Sequence, residues 1–444
     1  MERRERQENL NRHHRIMETI DNSKPLNEQI SYLMQRISLP EEEYSRRNDF
    51  CQVLQTVLEK TIEGSRLYIF GSTLSGLCLN ESDLDLYLDV PDDIFIRYAD
   101  QKKEGLPKKK KKFRLLPGGI YPDHVMIAKR VRKALERHRN FHDIEAIPFA
   151  RVPIVKFVHG PTGIKGDIQS SVCCGVFNSL LLRTLSELDP RVKQMLILIR
   201  YWFKLLGMSG GTDRKRFFSN YAVCLLVILF LAAEGVIPAV QDLVKPNNHV
   251  SLEDDWHFDF DTNPTFIAEN RTSIRFLLRN FFMFYGKEVD YSTYVLSVLD
   301  GMSLPKENFK NLDLPSSQSL YVDRVKNNAC DAINLKCQIA LQDPFELNNN
   351  LTRLFSKPSL ERFQQCCQVA AEVLETSSEK DCLKKLFDVS AYPSLLNPRK
   401  REQPDEDGTE QPIGDEGRGG ARGNKKKKRN NRNTCIQFKQ LVLP

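Results

Sequence analysis

"FGSTLSGLCLNESDLDLYL", Phe70 to Leu88, opens on a glycine-serine turn and closes on two aspartates set between apolar residues. On a β-strand, residues i and i+2 point the same way. Asp83 and Asp85 are therefore expected to project together while Leu84, Leu86 and Leu88 pack on the other face. Two carboxylates a few ångströms apart repel each other, and a shared cation removes that cost. Hard oxygen donors suit Mg²⁺ or Mn²⁺. A third acid is wanted if metal ions are to activate a hydroxyl and stabilise a leaving pyrophosphate. "IKGDIQS" supplies Asp167 on a short strand between Ile164 and Ile168. A D-x-D pair alone is also what the wet face of an edge strand carries, so the turn before it matters. At Gly71 and Ser72 the missing side chain and the hydroxyl let backbone and side-chain donors approach a phosphate.

Outward from this stretch the pattern changes twice. Residues 1–62 are polar with apolar positions such as Ile30, Leu33, Met34 and Ile37 at helical spacing. "RLYIF", "LDLYLDV", "FARVPIVKFVHG" and "IKGDIQS" read as strands, and "PDHVMIAKRVRKALERHRN" as an amphipathic helix. After about residue 176 helical spacing dominates, with helices expected at 219–235, 264–285 and 291–299. "LQDPFELNNNLTRLF" reads as a loop leading into a further helix. From Pro398 to about Asn433 the composition collapses to charged residues, Gly and Asn, the pattern of a disordered tail.

The chain has 444 residues, a net charge of +7 at pH 7 and eleven cysteines, none in a C-x-x-C pair. The spacing disfavours zinc and points to reduced thiols of an intracellular protein. The positive balance favours an acidic partner. The longest apolar run, Tyr221 to Ala233, is too short to cross a bilayer, and no membrane partner is expected.

The Gly-Ser turn followed by D-h-D-h resembles the signature of the DNA polymerase β-like nucleotidyltransferases. "ARVPIVKF", "GDIQSSVCCGVFNSLLLR", "DPRVKQMLILIRYWFKLLGM", "FFSNYAVCLLVILFL" and "LQDPFELNNNLTRLF" follow in the order of the poly(A) polymerase and terminal uridylyltransferase branch, across roughly 65–355. The resemblance implies an α+β fold: a nucleotidyltransferase palm with a mixed sheet over 46–175, after an N-terminal helical segment, 1–45, that docks on the central domain. A mostly helical central domain spans 176–390, with a PAP-associated region at about 285–350, and a charged tail spans 398–434. The active site is expected in the cleft between palm and helical domain.

By the same resemblance, Asp83, Asp85 and Asp167 bind the metal and carry catalysis, Asp167 also helping to deprotonate the RNA 3′-hydroxyl. Gly71 and Ser72 hold the triphosphate, and Asn178, with its neighbour Ser179, contacts ribose and base. Arg200 and Lys204, four residues apart on one helix, hold the β- and γ-phosphates, with arginine standing where lysine is commoner. Tyr221 stacks on the base. Glu346 faces the base edge in "DPFE". Asn349 stands where uridylyltransferases commonly carry histidine. It is smaller and uncharged, which opens room beside the base and tilts preference towards ATP.

The implied activity is template-independent addition of AMP or UMP from an NTP to an RNA 3′-hydroxyl. The alternative is a catalytically weak family member acting as an RNA- or protein-binding scaffold, and a third reading keeps the chemistry but takes a small-molecule acceptor. Lys108–Lys112 and Lys425–Arg429 are dense basic runs, suited to RNA phosphates or to nuclear import. RNA grip is expected from these runs and the cleft, or from an RNA-binding protein partner, in the nucleus or cytoplasm.

Overall fold

The computed structural model describes residues 2–91, 122–150, 152–171, 173–210, 217–244 and 256–393. The Lys108–Lys112 run, the Lys425–Arg429 run and the 398–434 tail lie outside the described residues.

Strand β2 (Leu84–Asp89) alternates buried and half-buried positions along its length, as period-2 patterning demands. Leu84, Leu86 and Leu88 are fully buried. Burial of each such side chain contributes about 1.5–3 kcal/mol. They pack against Phe50, Leu54 and Leu58 of α3 (Glu41–Glu59) and Ile127, Val131 and Leu135 of α5 (Pro122–Glu136). This layer of greasy helices under the sheet forces the odd-numbered positions of β2 to its other face.

The sheet has the order β1-β2-β5-β4-β3, with β1 at Arg66–Phe70, β3 at Phe141–Ile147, β4 at Ile154–His159 and β5 at Ile164–Gln169. β2 runs parallel to β5, and the other pairs are antiparallel. The connection from β1 to β2 begins with a single helical turn, α4 (Gly71–Leu74). Strand β3 has no counterpart in the sequence reading. Its pairing is interrupted between His142 and Glu145, where Asp143 has φ +50°, so no clean alternation marks it.

Beyond the sheet, α6 (Cys174–Leu188) and α7 (Pro190–Leu205) are separated at Asp189, whose carboxylate caps α7 by accepting from Arg191 N at 2.8 Å. Helix α8 (Asn220–Ala233) is buried from Ala222 to Leu231, and no described helix is long and apolar enough to cross a membrane. Two expectations are corrected here. The helix expected over 264–285 starts only at Ile274 (α9, Ile274–Met283) and continues as a π-turn over Phe284–Glu288. The segment 291–299 is not helical: Tyr294–Ser297 is strand β6. Val295, Val298 and Leu299 are spaced as on a helix, but the run is four residues of strand followed by a turn.

β6 is the centre of a second sheet, β7-β6-β8, antiparallel to β7 (Met302–Pro305) and parallel to β8 (Leu341–Gln342). Helix α10 (Ser319–Lys326) precedes β8, and α11 (Lys357–Thr376) and α12 (Cys382–Leu386) follow it. The N-terminal helix α1 (Glu2–Thr19) docks through His13, whose ring nitrogens lie 2.9 Å from Tyr201 Oη of α7 and 2.9 Å from the Phe387 carbonyl.

Candidate active site

The parallel pairing of β2 and β5 puts Asp85 directly opposite Asp167. Asp83 stands two residues before Asp85, at the mouth of β2. Burial, then Asp167, then Asp83 push the Asp85 carboxyl up to about 7. Asp83 is exposed at its tip, yet burial and Asp167 raise its pKa as well. In both, removal from water comes first and the neighbouring like charge adds to it.

Gly71 sits at φ +68°, and a Cβ placed there would fall 2.1 Å from Asp85 Oδ2. Only glycine lets the turn close on that carboxylate. The turn is braced from below by α6: Gly71 N donates to Ser179 Oγ at 2.7 Å, and that hydroxyl donates to the Gly175 carbonyl at 2.6 Å. Ser179 is thus a buried strut of the turn. Ser72 is half-buried, with Cys78 Sγ 3.3 Å from its hydroxyl.

Two cations near the acids were not singled out from sequence. Lys156 of β4 lies opposite Asp167 in register, and its Nζ is 2.9 Å from Oδ2 and 3.3 Å from Oδ1. Burial works against that ammonium's charge, but the bond to Asp167 and the neighbouring acids outweigh it and raise its pKa. Arg47, from α3, is buried and donates to Thr73 Oγ1 at 2.8 Å, to the Asp83 carbonyl at 3.4 Å and to the Ser82 carbonyl. It ties the Gly71–Leu74 turn to the mouth of β2. Lys156 stood in "ARVPIVKF", where alternation with Val155 and Phe157 aims it at the aspartate face, so strand period was the available signal. For Arg47, no local pattern distinguishes one buried arginine on α3.

The acids' donor set suits a hard divalent cation, which would offset both the burial and the like-charge repulsion at Asp85. As the side chains stand, no three acidic, histidine or cysteine side chains converge as a metal-holding group among the described residues. Asp167 meets Lys156 in place of a shared centre. Asp83, Asp85 and Asp167 are the residues that could hold such an ion.

The remaining predicted residues fall into two places. Arg200 is buried on α7, and its Nη1 donates to the carbonyl of Leu77, just beyond the Gly71–Leu74 turn, while its Nε has no partner. Lys204 follows one helical turn later, half-buried. Asn178, on α6 beside Ser179, leaves its buried Oδ1 without a partner.

Tyr221 belongs to the second place. Its hydroxyl is buried beside the Asp343 carboxyl, and burial, then Asp343 and Glu346, hold its pKa well above the usual value. Asp343 is buried, and burial and Glu346 push its carboxyl up to about 7. Its Oδ1 accepts from Phe345 N (2.9 Å) and Glu346 N (3.0 Å), which folds the "DPFE" loop back on itself. Asn349 Nδ2 donates to Glu346 Oε2 at 3.1 Å. Cys174, at the start of α6, lies 4.0 Å from Glu346 Oε1. One helix therefore touches both places, the Gly71 turn through Ser179 and the Glu346 loop through Cys174.

Comparison with known proteins follows the same two pieces. Residues 26–187 match the family described as poly(A) RNA polymerase, mitochondrial-like, central palm domain. Residues 273–349 match that of the Cid1 family poly A polymerase. The speckle targeted PIP5K1A-regulated poly(A) polymerase of Danio rerio is 27% identical over 363 residues, which cover 77% of this chain and 45% of that protein. The chain thus spans about half the length of such relatives. A crystal structure of mtPAP in complex with ATPγS superposes with a TM-score of 0.66 at 19% identity, covering 85% of this chain and 74% of the other. The Cid1 poly(U) polymerase with Mg and 3′-dATP bound gives a TM-score of 0.59 at 22% identity, covering 81% and 96%. At such identities the superpositions establish the palm fold.

Proposed function

The chain belongs to the poly(A) polymerase and terminal uridylyltransferase family of DNA polymerase β-like nucleotidyltransferases, and we propose that it adds nucleotides, AMP in preference to UMP, to RNA 3′ ends without a template. The observation that carries this reading is the register pairing of Asp85 with Asp167, with Gly71 closed onto Asp85.

Asp83, Asp85 and Asp167 would hold Mg²⁺ or Mn²⁺. Such an ion, when bound, polarises the α-phosphate and stabilises the leaving pyrophosphate. Asp167 accepts the proton of the RNA 3′-hydroxyl. The 3′-oxygen then bonds to the α-phosphorus as the bond to the bridging oxygen breaks, and pyrophosphate leaves. Gly71 and Ser72 line the triphosphate. Arg200 offers its unpartnered Nε and Lys204 its ammonium to the β- and γ-phosphates. Asn178 reads ribose and base through its free carbonyl oxygen, Tyr221 stacks on the base, and the acceptor oxygens of Glu346 face the base edge. An acceptor there suits the adenine amino group, and Asn349 holds that carboxylate from the side.

Mg²⁺- or Mn²⁺-dependent extension of an oligo(A) primer tests the reading. Asp83→Ala is expected to lower extension by about 10³-fold or more. Undiminished extension by Asp83→Ala would contradict it. Asn349→His is expected to shift the ATP:UTP preference towards UTP by about 3–10-fold, and a strong native preference for UTP would overturn the adenylyl assignment.

A second reading, a catalytically weak scaffold, draws on the Lys156–Asp167 ion pair, which occupies the third carboxylate. RNA binding without any metal-dependent extension would favour it. In the first reading the acceptor is RNA, in nucleus or cytoplasm, gripped by the cleft and the basic runs or by an RNA-binding protein partner.

A further inference from the structure

Away from the carboxylates, four polar side chains are sealed inside the second sheet. Ser297 ends β6, Asp300 lies in the turn after it, Gln318 precedes α10, and Gln342 ends β8. Their exposures are 0%, 3%, 0% and 0%. The Asp300 carboxylate receives Gln318 Nε2 at 2.7 Å, the Ser297 hydroxyl at 2.5 Å, and the Ser317 hydroxyl. The Ser297 hydroxyl also lies 2.9 Å from Gln342 Oε1. The two glutamines are paired reciprocally, Gln318 Nε2 to Gln342 Oε1 at 3.0 Å and Gln342 Nε2 to Gln318 Oε1 at 3.0 Å.

The bonds have a direction. An ionised carboxylate only accepts, so Gln318 has to turn its NH₂ towards Asp300. Its carbonyl oxygen then faces Gln342 and can only accept. That fixes the Gln342 amide with one N–H on Gln318 Oε1 and the other on the Leu347 carbonyl, at 2.9 Å. Leu347 lies beyond the "DPFE" turn, and Gln342 stands immediately before Asp343. The bond therefore clasps the base of the loop carrying Asp343, Glu346 and Asn349. A second strap, Asp343 N to the Asn349 carbonyl at 3.1 Å, closes the same loop.

We propose that Asp300, Gln318, Ser297 and Gln342 are positioning residues for base selection: a chain of oriented amides sets where Glu346 and Asn349 stand. This rests on the nucleotidyltransferase reading above and adds to it that selectivity is encoded in a buried cluster outside the residues facing the base. A satisfied buried network specifies one geometry, and a half-satisfied one releases it. Asp300→Asn keeps the shape but restores a donor, so Gln318 is free to invert. Gln342→Leu removes the clasp.

The test is equilibrium binding of ATP and of UTP to the full chain with Mg²⁺, for the native protein, Asp300→Asn, Gln342→Leu and the control Leu374→Ala, each with a thermal melt. Leu374 is a buried side chain of α11 with no part in the loop. The ATP:UTP ratio of dissociation constants is expected to change about five-fold or more in both network variants and to stay native in Leu374→Ala, even where its melting temperature falls as far. A ratio within about two-fold of native in both network variants, or an equal change in the control, overturns the inference. If the native chain extends RNA in that case, the polymerase reading stands without it. A native chain that binds neither nucleotide removes both.

Discussion

Around Gly71, Asp85 and Asp167 the site is made of charge. Around Asp343, Glu346 and Asn349 two acids also lie together, Asp343 likewise at about 7, but the loop that carries them hangs from neutral amides and hydroxyls. In the first region burial, and after it the neighbouring Asp167 and Asp83, lift Asp85 to about 7, with Lys156 and Arg47 as internal counter-charges. Such an arrangement is costly until a cation arrives, and it suits a place where a charged substrate and its metal are handled. In the second region the Asp300 carboxylate is met by three neutral donors, and the loop is positioned by bond direction. In the proposed reading the first region performs the chemistry and the second reads the base, which asks for a fixed shape. The common element is α6, which touches the Gly71 turn with Ser179 and the Glu346 loop with Cys174.

The contrast breaks most sharply at Gly71. Gly71→Ala places a methyl against Asp85 Oδ2 in a left-handed backbone conformation. It is expected to lower primer extension by about 10²-fold and stability by on the order of 2 kcal/mol. Leaving the ATP:UTP ratio of the residual activity unchanged would keep the two regions separable, which single-turnover extension with each NTP would show.

Acid tests the docking of α1 through the difference between the native chain and a variant without His13, because Asp85 and Asp343, at about 7, titrate in the same window. Burial pushes the His13 pKa down to about 4 from the ordinary 6.5. Between those values the unfolded chain binds a proton that the folded chain refuses, so unfolding is favoured as pH falls. Stability from His13 is complete above about pH 6.5 and is lost progressively towards pH 4, by on the order of 2–3 kcal/mol. Denaturant melts from pH 7 to 4 check this. A His13→Gln variant should lose much less stability across that window.

A smaller effect is expected at the counter-charge. Lys156→Met leaves Asp167 uncompensated, and with both partners partly exposed the loss is about 1 kcal/mol in EDTA. Adding Mn²⁺ should restore more stability to this variant than to the native chain, read as the rise in melting temperature.

The charged region was the legible one. Strand alternation alone set Asp85 on the face opposite Leu84, Leu86 and Leu88, and in the structure Asp85 pairs in register with Asp167 while Asp83 stands just before β2. These are local patterns of period two, and they survive because one face of β2 is fully buried. The same period-two alternation in β4 puts Lys156 on the aspartate face, with Val155 and Phe157 buried on the other. Arg47 and Ser179 were beyond such reasoning as struts, because their partners lie 26 and 108 residues away in the chain. The second sheet was misread for a related reason. Tyr294–Ser297 is too short to show alternation, and its apolar neighbours fall at helical spacing. The network of Gln318 and Gln342 spans 24 residues between two elements with no shared pattern, so nothing in the sequence announces it.

The claim that three carboxylates form one cation site is tested most directly by equilibrium Mn²⁺ binding to the full chain without RNA or NTP, in the native protein and in Asp85→Asn. The account predicts a saturable site in the native chain, weakened by about ten-fold or more in Asp85→Asn. Equal Mn²⁺ affinity in the two proteins, or no saturable binding in the native chain, would contradict it.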